Sequence, residues 1–218
     1  MKKIGKKSLV SSGAFIFAFV IWTIMIKTID VQAVGVNDTE IGFATINKWV
    51  HSLTGVNMTL YTITDWLGLV PVFVCILFGL MGFIQLTKRK SLLRVDSDII
   101  LLGVYYVIVI FAYLAFEEIP INYRPILING IMESSYPSST TLLVLSVMPT
   151  LIFQANRRIN NSMVKRAVIV TTTAFSAFMV IWRLLSGVHW ITDIIGSIFL
   201  SAGLFYAYKF LMSIKIFR

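Results

Sequence analysis

The sequence predicts an all-α integral membrane protein, a six-helix bundle with both termini in the cytoplasm. Three observations predict it. The 218-residue chain is 57% hydrophobic and 13% charged, about half the charge of a soluble domain, and its mean hydropathy is +0.85. Six apolar stretches each approach the roughly 20 residues that cross a bilayer core. The basic residues, 19 against 10 acidic ones, gather between those stretches on one side.

The first span covers about 9–29 and follows Lys2, Lys3, Lys6 and Lys7. A basic start, an apolar stretch and Val31-Gln32-Ala33 also fit a cleaved secretory signal. The length of the stretch and Lys27 near its end favour a retained helix. Residues 30–65 are expected as the longest outer loop. Within it Phe43, Ile46, Trp49, Val50 and Leu53 recur at helical spacing, while Glu40, Asn47, Lys48, His51 and Ser52 take the other face. This pattern predicts an amphipathic helix at the outer interface, with His51 in a structural role. The loop also carries Asn-x-Ser/Thr sequons at Asn37 and Asn57.

Span two, about 66–87, contains Pro71, which neighbouring helices can accommodate in a membrane. Span three, about 98–116, has no charge from Ile99 to Phe116. Span four, about 138–155, contains Pro149, which predicts a kink. Spans five and six cover about 166–185 and 191–212. There is no internal repeat and no long linker, so 1–218 reads as one membrane domain.

The charges set the orientation. Lys88, Arg89, Lys90 and Arg94 link spans two and three; Arg157, Arg158, Lys165 and Arg166 link spans four and five; Lys209, Lys215 and Arg218 close the chain. With the four N-terminal lysines, fifteen of the nineteen basic residues fall on one side. The positive-inside rule places that side in the cytoplasm. The net charge of +9 is thereby accounted for by topology. A nucleic-acid surface would need one folded basic face instead. A single cysteine, Cys75, excludes an internal disulfide framework and a cysteine metal site.

The remaining polar residues concentrate at three outer junctions. Glu117 to Pro125 reads EEIPINYRP, and Glu133 to Thr141 reads ESSYPSSTT. Arg183 ends span five, His189 follows in the loop, and Asp193 lies one turn into span six. The His189–Asp193 spacing suits two groups on one helix face. There an aspartate accepts the imidazole N–H and leaves the other ring nitrogen free to attack phosphorus or take a proton. A helix N-terminus favours an anion nearby. Arg183 and Arg124 offer planar donor forks for phosphate oxygens. Ser138 and Ser139, after Pro137, bring hydroxyls and N–H groups at the start of a helix.

These residues resemble the type-2 phosphatidic acid phosphatase superfamily of membrane lipid phosphatases, whose pattern is Lys-x6-Arg-Pro, Pro-Ser-Gly-His and Ser-Arg-x5-His-x3-Asp. Arg124-Pro125 matches the first motif and Pro137-Ser138 begins the second. Arg183, His189 and Asp193 match the third at its full spacing. The resemblance covers about 66–212 and the six-helix topology. It implies that His189 forms a phosphohistidine, that Asp193 orients it, and that Arg124, Arg183, Ser138 and the backbone after Ser138 hold the phosphate. It implies no metal or cofactor, and a phosphorylated lipid in the membrane as substrate.

Three positions depart from the pattern. Glu117 stands where the first motif has Lys. Ser139 and Thr140 stand for the Gly and His of the second. Trp182 replaces the Ser of the third. In the family that histidine protonates the leaving group, and a threonine hydroxyl cannot do so near neutral pH. A phosphate or phosphomonoester leaving group needs no such proton, so a diphosphate lipid of polyprenyl type is the expected substrate. Glu117 or Glu133 could replace the acid if desolvation raised its pKa. The alternatives are a lipid phosphotransferase and a catalytically impaired relative that binds phosphorylated lipid or a membrane partner. The topology places the site outside the plasma membrane, and the short, disulfide-free chain looks bacterial.

Overall fold

In hydrocarbon a long apolar segment can satisfy its backbone N–H and C=O groups internally only as a helix. The computed structural model describes residues 3–214 and follows this rule. Lys2, Lys215 and Arg218, counted above for topology, lie outside the described residues. The chain runs α1 (Lys3–Thr28), a short antiparallel ladder of β1 (Gln32–Ala33) and β2 (Glu40–Ile41), α2 (Ala44–Thr54), α3 (Met58–Leu67), α4 (Leu69–Arg89), α5 (Ser97–Glu118), α6 (Ser139–Arg158), α7 (Ser162–Leu185) and α8 (Ile191–Leu211). Among the described residues, six helical stretches are long and apolar enough to span a bilayer. The protein is an integral membrane protein with the expected number of spans.

The expected spans lie within the observed helices to within a few residues, with one addition. The segment 30–65 is not mainly loop. Its last part forms α3, and Met58–Arg89 together make a stretch of 32 residues. At about 1.5 Å per residue that is about 48 Å of helix, against about 30 Å of hydrocarbon. The surplus turns lie outside what a span requires. The Asn57 side chain caps α3 by accepting from the Leu60 N–H at 3.0 Å, and Thr62 and Thr64 return their hydroxyls to Met58 and Leu60 carbonyls at 2.9 Å. This run of threonines makes the segment look like a loop in sequence. The helix α6 passes through Pro149 without interruption.

The amphipathic helix is present as α2, but its orientation is the reverse of a soluble one. Asn47 is buried and donates to the Gly42 carbonyl at 2.8 Å and to the Thr192 hydroxyl at 3.0 Å. His51 reaches the Gly187 carbonyl at 3.1 Å. Ile46, Trp49 and Leu53 are exposed. Around a membrane protein the outside is itself apolar. The hydrophobic stripe therefore faces outward, and the polar stripe docks on the start of α8.

Small and polar residues set the helix packing. The Ser12 hydroxyl of α1 donates to the Gly203 carbonyl of α8 at 2.9 Å, the close approach that small residues permit in membranes. The apolar core lies between α4, α5, α6 and α8, around Leu102, Val109, Val144 and Val147. At the end opposite the candidate site, Asp96 and Asp98 hold three of the topology-setting arginines. Arg89 lies 2.7 Å from Asp96, Arg158 lies 2.6 Å from Asp98, and Arg157 lies 3.7 Å from Asp98.

Candidate active site

Three elements meet at the other end of the bundle. The first is the long connection from α5 to α6. It folds back on itself as a hairpin, with Arg124 N donating to Glu133 O at 3.1 Å and Ser135 N to Asn122 O at 2.9 Å. Its tip pairs Ile128 with Ile131 across Asn129-Gly130, both at positive φ (51° and 79°). This is the backbone of a two-residue hairpin turn, for which Asn-Gly is the strongest short signal. The hairpin register puts Arg124 and Glu133 side by side. The Trp190 indole N–H donates to the Tyr123 carbonyl at 2.8 Å and ties the hairpin to α8.

The second element is the turn between α7 and α8. Gly187 has φ +67°, and a Cβ there would run into the Gly55 carbonyl. Only glycine fits, and the tight turn brings His189 back over the end of α7. Trp190 is the N-cap of α8, so His189 stands just before the helix and not within its first turn. The expected His189–Asp193 hydrogen bond is therefore not formed. Asp193 Oδ2 lies 3.6 Å from Nδ1 and instead accepts from the Trp190 N–H at 2.9 Å. The imidazole Nδ1 reaches the Ser135 carbonyl at 3.1 Å. Asp193 Oδ1, the Ser135 hydroxyl and the Asn122 amide nitrogen are buried with no aligned partner.

The proton on His189 follows from its neighbours. Arg124 Nη1 lies 3.2 Å from Nε2, and a guanidinium can only donate. Nε2 must accept, so the proton sits on Nδ1 and points at Ser135 O. Burial, then the Arg124 and Arg183 charges, hold the imidazole well below the usual histidine range. The side chain is neutral near pH 7, with its lone pair on Nε2.

The third element, α3, was not anticipated. It packs against α7 and surrounds Arg183, which is 1% exposed. Arg183 Nη1 donates to the Thr64 hydroxyl at 3.2 Å and lies 3.8 Å from Asp65 Oδ1. The Tyr61 ring lies 4.9 Å from the Arg183 guanidinium and 6.0 Å from that of Arg124. Arg124 Nε is 3.0 Å from Glu133 Oε2, but off the hydrogen-bond axis. The Nε–H groups of both arginines are buried without an aligned partner. Two cations with unused donors in one buried place are chemically suited to an anion.

The other expected residues divide. Ser138 is fully buried and turned inward. Its N–H donates to the Asp193 carbonyl at 3.3 Å, its hydroxyl to Thr141 at 3.1 Å, and its carbonyl accepts from Ser197 at 2.9 Å. Ser139 and Thr140 form the first turn of α6, where N–H groups lack intrahelical partners. Thr140 lines a cavity of about 420 Å³ with Asp65, Gly68 and Tyr113. Glu133 pairs with Arg124. Glu117 is exposed at the end of α5, a helix that runs two residues past the expected end, and makes no ion pair among the described residues. Trp182 stacks on Phe178 at 4.6 Å, away from this cluster. Sequence reasoning missed Tyr61, Thr64, Asp65, Asn122 and Ser135. The Asn129-Gly130 pair was the available signal for the hairpin that carries the last two.

Two comparisons with known proteins give a match. A model of the PAP2 superfamily matches residues 111–215, which include all three motifs. The crystal structure of a transmembrane PAP2-type phosphatidylglycerolphosphate phosphatase from Bacillus subtilis superposes with a TM-score of 0.65 at 18% identity. The match covers 95% of this chain and 99% of that one. No curated protein matches the chain. The chain is therefore similar to the PAP2 superfamily over residues 111–215 and shares the fold of that phosphatase over nearly all of its length.

Proposed function

We propose that the protein is a membrane lipid phosphatase that removes the terminal phosphate of a lipid diphosphate through a phosphohistidine at His189. The observation that carries this reading is the neutral His189, its Nε2 lone pair held by Arg124 beside two buried guanidiniums with unused donors. An arriving phosphoryl group takes over the donor forks of Arg124 and Arg183, which frees Nε2. The lone pair attacks phosphorus in line, the P–O bond breaks, and the electron pair leaves with the lipid monophosphate. The Nδ1 proton stays on the ring, and the Ser135 carbonyl, with Asp193 behind it, stabilises the cation that forms. The Ser139 and Thr140 N–H groups at the α6 N-terminus offer further donors to the phosphoryl oxygens.

Thr140 supports the diphosphate over the monophosphate ester. Its hydroxyl is too weak an acid to protonate a leaving group near neutral pH, and a phosphate leaving group requires no proton. The lipid chain has a path away from the site. The cavity at Thr140 shares Val72 and Ile110 with an apolar groove of about 480 Å³ between α4 and α5. The basic residues at the opposite end support an extracellular site in a plasma membrane.

Purified protein in detergent, assayed on paired polyprenyl mono- and diphosphates and on phosphatidic acid, tests the reading. The diphosphate should be the faster substrate, and His189→Ala should release no phosphate. A preference for monophosphates would overturn the substrate assignment, and activity in His189→Ala would overturn the nucleophile. The Thr140 and Glu117 departures favour a second reading, a phospholipid-binding relative without turnover. Binding of lipid phosphates without release would select it.

A further inference from the structure

A phosphohistidine must be cleared by water, and the attacking water must lose a proton. None of the residues described so far at the phosphoryl position accepts one. His189 Nε2 is itself the leaving atom, Arg124 and Arg183 only donate, and Thr140 is no base near neutral pH. Glu133 is paired with Arg124. Glu117 stands exposed at the end of α5, outside the cavity that Thr140 lines.

Asp65 is placed differently. It lies in the last turn of α3, immediately before the junction with α4. Its Oδ1 is 3.8 Å from Arg183 Nη1, and its side chain is 57% exposed where that of Arg183 is 1%. It lines the same cavity as Thr140. The junction itself is pressed onto Thr140, since a Cβ at Gly68 would sit 3.4 Å from the Thr140 methyl. The carboxylate is thus exposed, next to the guanidinium that would grip a phosphoryl oxygen, and open to the cavity beside the start of α6.

We propose that Asp65 is the base for the second half-reaction. Building on the phosphohistidine reading above, it takes a proton from a water in the Thr140 cavity. The water oxygen bonds to phosphorus as the P–N bond breaks, and that electron pair returns to Nε2 of His189. Inorganic phosphate leaves, and Asp65 gives its proton back to solvent. The base then comes from α3, outside the three family motifs, on a helix that the span itself does not require.

Rapid-quench kinetics on the full-length protein with a polyprenyl diphosphate labelled in its terminal phosphate test this. In Asp65→Asn, one equivalent of lipid monophosphate should appear per protein in a burst at the wild-type rate. An acid-labile, alkali-stable phosphoenzyme should accumulate, and steady-state turnover should fall about 10²–10⁴-fold, the usual contribution of a positioned base. Asp65→Glu should keep part of the turnover. Formate should speed phosphate release from Asp65→Ala. Unchanged turnover in Asp65→Asn would overturn the proposal. So would a slowed burst without phosphoenzyme accumulation, which would make Asp65 only a support for Arg183. A wild type that forms no phosphoenzyme while turning over would instead overturn the phosphohistidine reading, and the Asp65 assignment with it.

Discussion

Replacing Arg183 with methionine should make the protein more stable and unable to hold phosphate. Arg183 is 1% exposed. Its compensation is thin: a hydroxyl at 3.2 Å, a mostly exposed carboxylate at 3.8 Å, and an Nε–H with no partner. Arg124 shares the Tyr61 ring with it and adds a second positive charge. The unpaired donor alone costs about 1–3 kcal/mol. Replacing buried ionic groups by apolar ones of similar volume often stabilises by about 1–4 kcal/mol. The substitution leaves no buried orphan, because the Thr64 hydroxyl still bonds the Leu60 carbonyl at 2.9 Å and the Asp65 carboxylate is mostly exposed. A gain of about 2 kcal/mol should raise Tm by roughly 4–8 °C in a chain of this size. Phosphate at about 100-fold its Kd should stabilise wild type by about 2.7 kcal/mol and leave Arg183→Met unmoved. Thermal unfolding in detergent, with and without phosphate, reads both effects. A variant that melts below wild type without phosphate, or that keeps the full phosphate shift, would refute the reasoning.

Three further outcomes follow. His189 is held well below the usual histidine range by burial and by the two arginines. A burst measured against pH should therefore show no loss of nucleophile near pH 6.5, the ordinary histidine value. The same shift makes the folded state bind fewer protons than the unfolded chain. Its stability contribution is whole above the unfolded pKa and is lost as pH falls toward the folded one, which denaturation at graded pH would report. Gly79 and Gly103 both line the α4–α5 groove, and nothing lies within 4 Å of where their Cβ atoms would stand. Gly79→Trp should lower turnover of long-chain substrates several-fold and spare short-chain ones. Equal loss on both would show that the groove does not hold the chain.

What was readable in the sequence was read by simple rules. Apolar runs of span length became α1 and α4 to α8. The third motif located Arg183 and His189, and the isolated outer cations Arg124 and Arg183 are the two that meet over Tyr61. What was not readable depended on neighbours. The stretch Met58–Leu67 interleaves threonines with Leu60, Ile63 and Leu67, and its helix is fixed by capping at Asn57 and by packing on α7. The outward face of α2 inverts the soluble rule because its surroundings are apolar. Asp193 gave its oxygen to the Trp190 N–H because the helix begins after His189, a boundary that spacing alone does not reveal.

The sequence by itself determined the class of the protein, the number of its spans, and the motif residues gathered at one end. Hydrophobic length and charge asymmetry are local properties, and a bilayer reads them without reference to the rest of the fold. Only the tertiary structure decided which ring nitrogen of His189 carries the proton, that Glu133 pairs with Arg124 while Glu117 stands aside, and that Asp65 comes to the Thr140 cavity. These depend on how the α5–α6 hairpin, the α7–α8 turn and α3 come together, which places atoms within about 4 Å of one another, and such distances are set by tertiary packing.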